Sequence, residues 1–206
     1  MYASKSGRRS SAKQQARDLA LRVLSEQLPD LHDHASGVAE LARGVGARLG
    51  IDGGRLWDLV HAAELHDIGK LAIPAAILHK PGPLDADEWA FMRRHTLLGE
   101  GILGAAPALG SVATLVRSSH ERYDGAGYPD RLAGEAIPLA SRIVFVCDAF
   151  DAMTCARPYK AAMDEQDALE ELRRGAGSQF DPAVVEAFCA ELAAREAVRH
   201  GTLSAA

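Results

Sequence analysis

The sequence predicts an all-α fold, and three observations support this prediction. Alanine and leucine are abundant, while aromatic residues make up only 5% of the 206 residues, a composition that favours helices over a β-sandwich. Apolar residues recur at helical spacing along most of the chain. No segment is a convincing candidate for a strand, a repeat unit or an interdomain linker. We therefore expect one helical domain.

Periodic apolar residues and helix-breaking residues together define eight helices. The predicted helices cover 13–28, 30–49, 54–68, 85–103, 108–120, 141–154, 164–175 and 182–197. Pro29 separates the first helix from the second, and Gly50 follows the end of the second. Gly69 and Pro74 end the third helix, so its last residues are predicted to lie close to a turn.

Capping signals justify the later helices. Residues 71–84 contain three prolines and are predicted to form a connector. Asp85 followed by Glu88 is a capping-box pattern that starts the fourth helix, and Pro107 separates that helix from the fifth. Residues 121–140 are rich in glycine and proline, which predicts a long ordered loop of the kind that is usually functional.

The last two helices begin after aspartates. Asp164 precedes one of them, and Asp181 precedes the other, which has Pro182 in its first turn. Both aspartates are therefore predicted N-caps.

Composition narrows the classes of protein further. Hydrophobic residues make up 48% and charged residues 25% of the chain, as in globular proteins, so the chain is not wholly disordered. No apolar run approaches the roughly 18 residues of a membrane-spanning helix, and we expect no membrane association. The three cysteines have no paired spacing, which predicts free thiols in a reducing cytoplasm.

Charge is distributed unevenly along the chain. Residues 1–17 contain five basic side chains and no acidic one, whereas the remainder carries 18 basic and 28 acidic residues, a net charge of −10. The acidic body argues against a nucleic-acid partner. A basic, serine-rich start is compatible with a transit peptide, a nucleic-acid arm or a frayed terminus, of which we favour the last. We expect a disordered basic arm over 1–12 and a single domain over 13–200.

Histidine and aspartate residues are the candidates for chemistry. His66 and Asp67 are adjacent at a predicted helix end, where an imidazole and a carboxylate can reach the same metal ion. Further candidate ligands follow in order along the predicted helices: His34, His95, His120 and Asp148. Such a mixture suits iron, manganese, zinc or nickel, so we expect a transition-metal site.

Several longer motifs carry a resemblance to a known family. They are HDIGK at 66–70, ILHKPG at 77–82, RRH at 93–95, HERYDGAGYP at 120–129, IPLASRIVFVCDAFDAMT at 137–154, RPYK at 157–160 and QFDP at 179–182. With His34 upstream, their order resembles the HD-GYP family of the HD phosphohydrolase superfamily, over a catalytic core of about residues 30–190.

The resemblance implies an HD-domain helical bundle around a centre of two divalent transition metals. Iron or manganese is the expected metal, with zinc or nickel as alternatives. It also implies hydrolysis of a cyclic dinucleotide, with cyclic di-GMP as the first candidate, to pGpG or GMP. Some members of the family prefer cyclic GMP-AMP.

The position of each residue within these motifs implies its role. The implied metal ligands are His34, His66, Asp67, His95, His120 and Asp148. Asp67 would bridge the two metals and, with Lys70, form the catalytic pair beside the scissile phosphate. Arg157, Lys160 and Tyr128 would join Lys70 in binding the substrate.

One residue departs from the family pattern. Family members usually have His-His-Glu where this chain has Ser119, His120 and Glu121. The loss of an imidazole predicts either a second metal that is more weakly held and a weakened enzyme, or a site in which water or Glu121 takes its place.

A third metal is not expected. It would need an acidic residue one turn before His34, and Asp30 stands there. Pro29, however, favours a position for Asp30 outside the helix.

Two alternatives to a cyclic dinucleotide phosphodiesterase stay open at the level of sequence. One is an HD phosphohydrolase that acts on another nucleotide. The other is a catalytically weak receptor that binds cyclic di-GMP or a diguanylate cyclase domain, which Ser119 favours and the retained ligand set opposes. Family members often follow a receiver or sensor domain, so a sensor protein, a cyclase domain or a second copy of this chain is an expected partner.

Overall fold

The computed structural model describes residues 4–155, 162–199 and 201. Within these residues the chain forms ten α-helices and no β-sheet, which confirms the all-α prediction. Helices α1 to α10 are, in order, Ser4–Gln27, Pro29–Arg48, Gly53–Leu65, Ala75–Leu78, Ala86–Met92, His95–Gly104, Gly110–Arg117, Leu139–Thr154, Glu165–Gly175 and Pro182–Arg199. No helix in the described part of the chain is both long enough and apolar enough to cross a membrane.

The first helix begins earlier than the sequence predicted. The expected disordered arm covered residues 1–12, but the backbone is already helical from Ser4, so that expectation is wrong over 4–12. Only Gly7 within this stretch is a strong helix breaker, and one glycine costs about 1 kcal/mol relative to alanine, which a 24-residue helix tolerates. Residues 1–3 lie outside the described residues.

The predicted helix over 85–103 is two helices. Helix α5 begins after Asp85, whose side chain accepts the Glu88 N–H in the predicted capping box. It ends at Met92, and α6 begins at His95 without any intervening glycine or proline. The sequence offers no local signal for this break.

Helix α2 lies at the centre of the bundle. It packs against α3, α8 and α10, and α3 packs in turn against α7. The core comprises alanine, valine, leucine, isoleucine and phenylalanine side chains from these helices and from α9, with Val38, Leu59 and Val116 fully buried. Helix α6 packs against α7 and against a 3-10 turn, Ile68–Ala72, that follows α3.

The turn after α3 is held against α6 at very close range. A Cβ atom added to Gly69 would lie 1.8 Å from the backbone oxygen of His95. Only glycine allows this approach. The HDIGK motif therefore brings the end of α3 and the start of α6 together, and both carry predicted metal ligands.

Candidate metal centre

The HDIGK motif supplies the middle of the site. His66 directly follows α3, and its Nδ1–H donates to the backbone oxygen of Ala63 at 2.8 Å. This hydrogen bond fixes the tautomer, so the Nε2 lone pair faces the site. The carboxylate of Asp67 is buried beside it, with Oδ2 at 3.6 Å from His66 Nε2. Lys70, one turn further on, donates to Asp67 Oδ2 at 2.6 Å.

Helices α2 and α8 supply one side of the site. His34 Nε2 lies 2.9 Å from Asp148 Oδ1, and Asp148 Oδ1 lies 3.7 Å from His66 Nε2. The other ring nitrogen of His34, Nδ1, lies 2.5 Å from Asp151 Oδ2. His34 therefore has a carboxylate at each ring nitrogen, one facing the site and one behind the ring.

Helix α6 and the end of α7 supply the other side. His95 is the first residue of α6, and its Nδ1–H donates to the Met92 backbone oxygen at 2.8 Å. Its Nε2 lies 3.5 Å from Asp67 Oδ1. The ring of His120 lies 4.8 Å from that of His95 between centroids, and the Tyr128 ring stacks on His120 at 5.3 Å.

These side chains form two groups with metal-ligand geometry that share Asp67. In each group, one ligand atom from every residue lies within 4.8 Å of the others; the groups are His34, His66 and Asp67, and Asp67, His95 and His120. Four of these atoms are buried and have no hydrogen-bond partner among the described residues: His66 Nε2, Asp67 Oδ1, His95 Nε2 and His120 Nε2. Buried polar atoms without partners are costly. Converging unpartnered nitrogens and carboxylates fit divalent transition metals.

Electrostatics keep most of these groups in the form that binds metal. Burial lowers the pKa of His120 to about 3 and lowers that of His95, so both rings are neutral at pH 7. Burial alone would raise the pKa of Asp67, but Lys70 and nearby histidines hold it well below its usual range. The hydrogen bond with His34 and the nearby ring of His66 likewise lower the pKa of Asp148, against the effect of its burial. The site thus presents two ionised carboxylates, which attract cations.

His34 and His66 have the opposite shift. Burial disfavours their protonation, but the carboxylates outweigh it, raising the pKa of His66 and bringing that of His34 to about 9. Protons therefore compete with a metal for these two imidazoles, which makes metal affinity depend on pH.

The structure describes two of the four predicted substrate-binding residues. Lys70 and Tyr128 both line a cavity of about 540 Å³ that also exposes His34, Asp67, His95, His120 and Asp148. Arg157 and Lys160 lie outside the described residues. The residues on either side of that segment meet, because the Met163 N–H donates to the Met153 oxygen at 2.8 Å. Ala152 of α8 lines the cavity.

Ser119 and Glu121 each make a hydrogen bond to the backbone. The Ser119 hydroxyl is buried and donates to the Val116 oxygen at 2.9 Å, within its own turn. Glu121 Oε1 accepts the Asp130 N–H at 2.6 Å, so this buried carboxylate holds the loop that carries Tyr128. Neither residue belongs to the two ligand groups, but the second carboxylate oxygen of Glu121, Oε2, is buried and has no hydrogen-bond partner among the described residues.

Asp30 differs from the expectation as well. Pro29 is the first residue of α2, and Asp30 therefore lies inside the helix, one turn before His34, on the wall of the cavity. Proline at a helix start causes no break, because its missing N–H would be unpaired there anyway. The expectation that Pro29 keeps Asp30 outside the helix is wrong.

A family model agrees with this site. The model for the HD domain matches residues 18–184, most of the chain. The chain belongs to the HD domain family. This membership confirms the resemblance that the motifs indicated, and HD-domain phosphohydrolases depend on metals.

Individual relatives of this HD domain are named as phosphodiesterases. The chain is 46% identical over 138 residues to a probable cyclic di-GMP phosphodiesterase of Vibrio cholerae, covering 63% of this chain and 31% of the relative. It is 39% identical over 171 residues to a cyclic di-GMP phosphodiesterase of Thermotoga maritima, covering 82% and 46%. The chain thus spans less than half the length of these two relatives.

A solved structure supports the fold. A cyclic GMP-AMP specific phosphodiesterase of V. cholerae superposes with a TM-score of 0.62 over 86% of this chain and 47% of that one, at 21% identity. At this identity the likeness concerns the HD-domain fold alone.

Two residues at the site were missed by the sequence analysis. Asp151 lies behind His34, and Trp89 lines the cavity. Asp151 follows Asp148 by three residues on α8, so the i, i+3 spacing on a helix was a usable signal. Trp89 is 49% exposed, and the apolar periodicity of the sequence does not distinguish such a position from one in the core.

Proposed function

We propose that the chain is a metal-dependent phosphodiesterase that hydrolyses a cyclic dinucleotide, with cyclic di-GMP as the first candidate. The observation that carries this proposal is the pair of ligand groups that share the buried carboxylate of Asp67. The relatives named as cyclic di-GMP phosphodiesterases support the substrate class. The cavity of about 540 Å³ above these groups gives an extended substrate room to lie against them.

Two divalent metals fit the donor set. His34, His66, Asp67 and Asp148 would hold the first, and Asp67, His95 and His120 the second, with iron or manganese preferred and zinc or nickel as alternatives. When bound, such metals supply Lewis-acid stabilisation of phosphoryl oxygens and activate water for attack on phosphorus.

The remaining residues orient the substrate and balance its charge. Lys70 holds its ammonium 2.6 Å from Asp67, where it would attract the scissile phosphate and stabilise charge that develops on the phosphoryl oxygens. Burial raises the pKa of Tyr128, so its phenol stays neutral and is able to donate a hydrogen bond into the cavity. Arg157 and Lys160, which follow α8 in the sequence, would bind substrate phosphates.

A weak receptor for a cyclic dinucleotide is the second candidate. Ser119, which donates to its own helix, favours it, because the second group then has only three protein ligands. We further propose a cytoplasmic location, and a sensor protein, a cyclase domain or a second copy as the regulatory partner.

The deciding experiment combines metal analysis with product analysis. Protein reconstituted without oxygen with Fe(II) or Mn(II) is expected to hold about two metals and to convert cyclic di-GMP to pGpG or GMP, as followed by chromatography. Metal-loaded protein that binds cyclic di-GMP without cleaving it supports the receptor. Protein that takes up no metal contradicts both the metal centre and the enzyme.

A further inference from the structure

Trp89 is exposed at the rim of the cavity in a way that packing does not explain. It is 49% exposed and is the one exposed aromatic side chain among those that the structure describes. It lines the same cavity as Asp67 and Lys70, beside Leu84 and Met92. Its other side borders a shallow depression formed with Ala86, Ala90 and Arg93.

The helix that carries Trp89 is firmly anchored. Helix α5 has only 7 residues, but its capping box joins Asp85 and Glu88 in both directions. Lys80 from the preceding connector donates to Glu88 at 2.5 Å. The backbone that carries the indole is therefore ordered before any ligand binds, which reduces the entropy lost when a ligand stacks on the ring.

A guanidinium group lies one helical turn from the indole. Arg93 follows Trp89 by four residues, and its backbone N–H donates to the Trp89 oxygen at 3.0 Å. The Arg93 guanidinium carbon lies 5.6 Å from the centroid of the Tyr128 ring, which lines the cavity. Arg93 thus extends from the helix of the exposed indole towards the wall of the metal site.

We propose that Trp89 and Arg93 form a nucleobase subsite. In this subsite a purine stacks on the indole, and the Arg93 guanidinium donates hydrogen bonds to the edge of that purine. This inference rests on the proposed function. It assigns residues to the bases of the substrate, which the phosphate-binding residues do not contact. Aromatic side chains bind unpaired bases by stacking on any base. Arginine pairs with the O6 and N7 acceptors of guanine, whereas adenine offers a donor in place of O6. The subsite therefore selects guanine over adenine.

Tryptophan fluorescence tests the stacking directly. The chain has two tryptophans, and Trp57 lies away from the cavity, against His61 and Lys13. In metal-free protein, cyclic di-GMP is expected to quench the emission of Trp57→Phe, in which only Trp89 emits. It is expected to leave the emission of Trp89→Phe unchanged.

Kinetics of the metal-loaded protein give a second readout. Trp89→Ala is expected to raise KM for cyclic di-GMP by about tenfold or more, with a smaller change in kcat, because stacking acts mainly on binding. Trp89→Phe keeps a ring and is expected to keep KM within about threefold of the wild type.

Variants of Arg93 and Arg94 form a matched pair that tests recognition of the base. Arg94 is the adjacent arginine, and its guanidinium lies over the Phe91 ring at 5.0 Å. Arg93→Ala is expected to weaken cyclic di-GMP binding by about tenfold and cyclic di-AMP binding much less. Arg94→Ala is expected to change neither affinity.

Three results would overturn the subsite. If Trp89 emission does not respond and Trp89→Ala keeps KM within about twofold while cyclic di-GMP is cleaved, the subsite is wrong and the proposed function stands. Equal losses for both dinucleotides in Arg93→Ala would mean that Arg93 binds phosphate and does not select guanine. If the wild type neither binds nor cleaves cyclic di-GMP, the proposed function and the subsite both fail.

Discussion

Asp67 is the residue on which both halves of the site depend. Its carboxylate is 2% exposed and has His66, His95 and Lys70 around it. These partners keep it ionised despite burial, because a buried carboxylate without cationic neighbours would take up a proton instead. One carboxylate thus provides negative charge to two groups of histidines.

Replacing Asp67 by alanine is expected to remove metal from both groups. The reconstituted wild type should hold about two metals per chain, and Asp67→Ala well below one, as measured by elemental analysis. Asp52→Ala makes the same chemical change at an exposed position and should keep the wild-type metal content. Retention of two metals by Asp67→Ala would rule out a shared ligand.

Asp151 is expected to act through His34 without touching a metal. A carboxylate behind a ligating imidazole fixes the ring and makes it a better donor, and loss of such a partner typically costs 10–100-fold in metal affinity or activity. Asp151→Asn keeps the shape but weakens the hydrogen bond to Nδ1, so metal affinity at the first group should fall by about tenfold in a competitive chelator titration. The second group should be unaffected. Equal loss at both groups would indicate general disruption of the fold.

Arg157 is expected to bind phosphate and not metal. A guanidinium cannot ligate a cation, but it pairs with phosphate in a bidentate manner. Arg157→Ala should weaken cyclic di-GMP binding by about tenfold with metal content unchanged, measured by calorimetry and elemental analysis. Arg174→Ala, at an exposed position on α9, is the control. Metal loss in Arg157→Ala would contradict the assignment.

At the scale of elements, the motifs predicted the helices that carry ligands, but not how these helices end. The order of His34, His66, His95 and His120 along the chain identified the ligand-bearing segments. The break between α5 and α6 could not be predicted, because apolar spacing continues through it without glycine or proline. A long-range contact lies next to this break, because Gly69 packs against the first backbone carbonyl of α6.

Gly69 is expected to be the most sensitive position of this contact. Gly69→Ala would place Cβ 1.8 Å from the His95 oxygen, a backbone atom that cannot rotate away. Overpacking typically costs about 1–3 kcal/mol, and a backbone clash belongs at the upper end or above. Gly101→Ala in α6 meets no atom within 4 Å and should stabilise by about 0.5–1 kcal/mol. Urea unfolding of both variants gives the comparison, and equal stability would contradict the proposed contact.

The loop that carries Tyr128 was predicted to be ordered, and the structure adds contacts that order it which the sequence did not indicate. Glu121 was a candidate ligand on the basis of its place next to His120. In the structure its carboxylate accepts the backbone N–H of Asp130, and Arg117 binds the Asp130 side chain from α7 at 2.6 Å. A sequence shows which residue types are adjacent, but not whether a carboxylate faces a cation or a loop.

At the scale of the whole molecule, part of the basic start is neutralised within the fold. Lys13 of α1 donates to Asp58 of α3 at 2.7 Å, and Arg17 Nε donates to Glu64 at 3.0 Å. The sequence identified the charge asymmetry but assigned it to a free terminus. Pairing across 45 or more residues is not visible in local patterns, so it could not be anticipated.

The attachment of α1 to the bundle should depend on pH through Glu64. Burial would raise the pKa of this carboxyl, but hydrogen bonds from His61 and Arg17 hold it below its usual range. Since an unfolded glutamate titrates near pH 4.3, the stabilisation is complete above about that pH and is lost as pH falls through the lower folded pKa. Glu64→Gln should therefore lower the free energy of unfolding by about 1–3 kcal/mol at pH 7, and the difference from the wild type should shrink below about pH 4.

Urea unfolding between pH 3.5 and 7 measures the difference in free energy of unfolding between Glu64→Gln and the wild type. A second variant separates the contribution of Glu64 from that of the other carboxylates. Glu26→Gln, at an exposed position of α1, should stay within about 0.5 kcal/mol of the wild type throughout. A difference for Glu64→Gln that is constant across this range would mean that the side chain contributes by packing. A difference that shrinks in acid would mean that its charge holds α1 against α3.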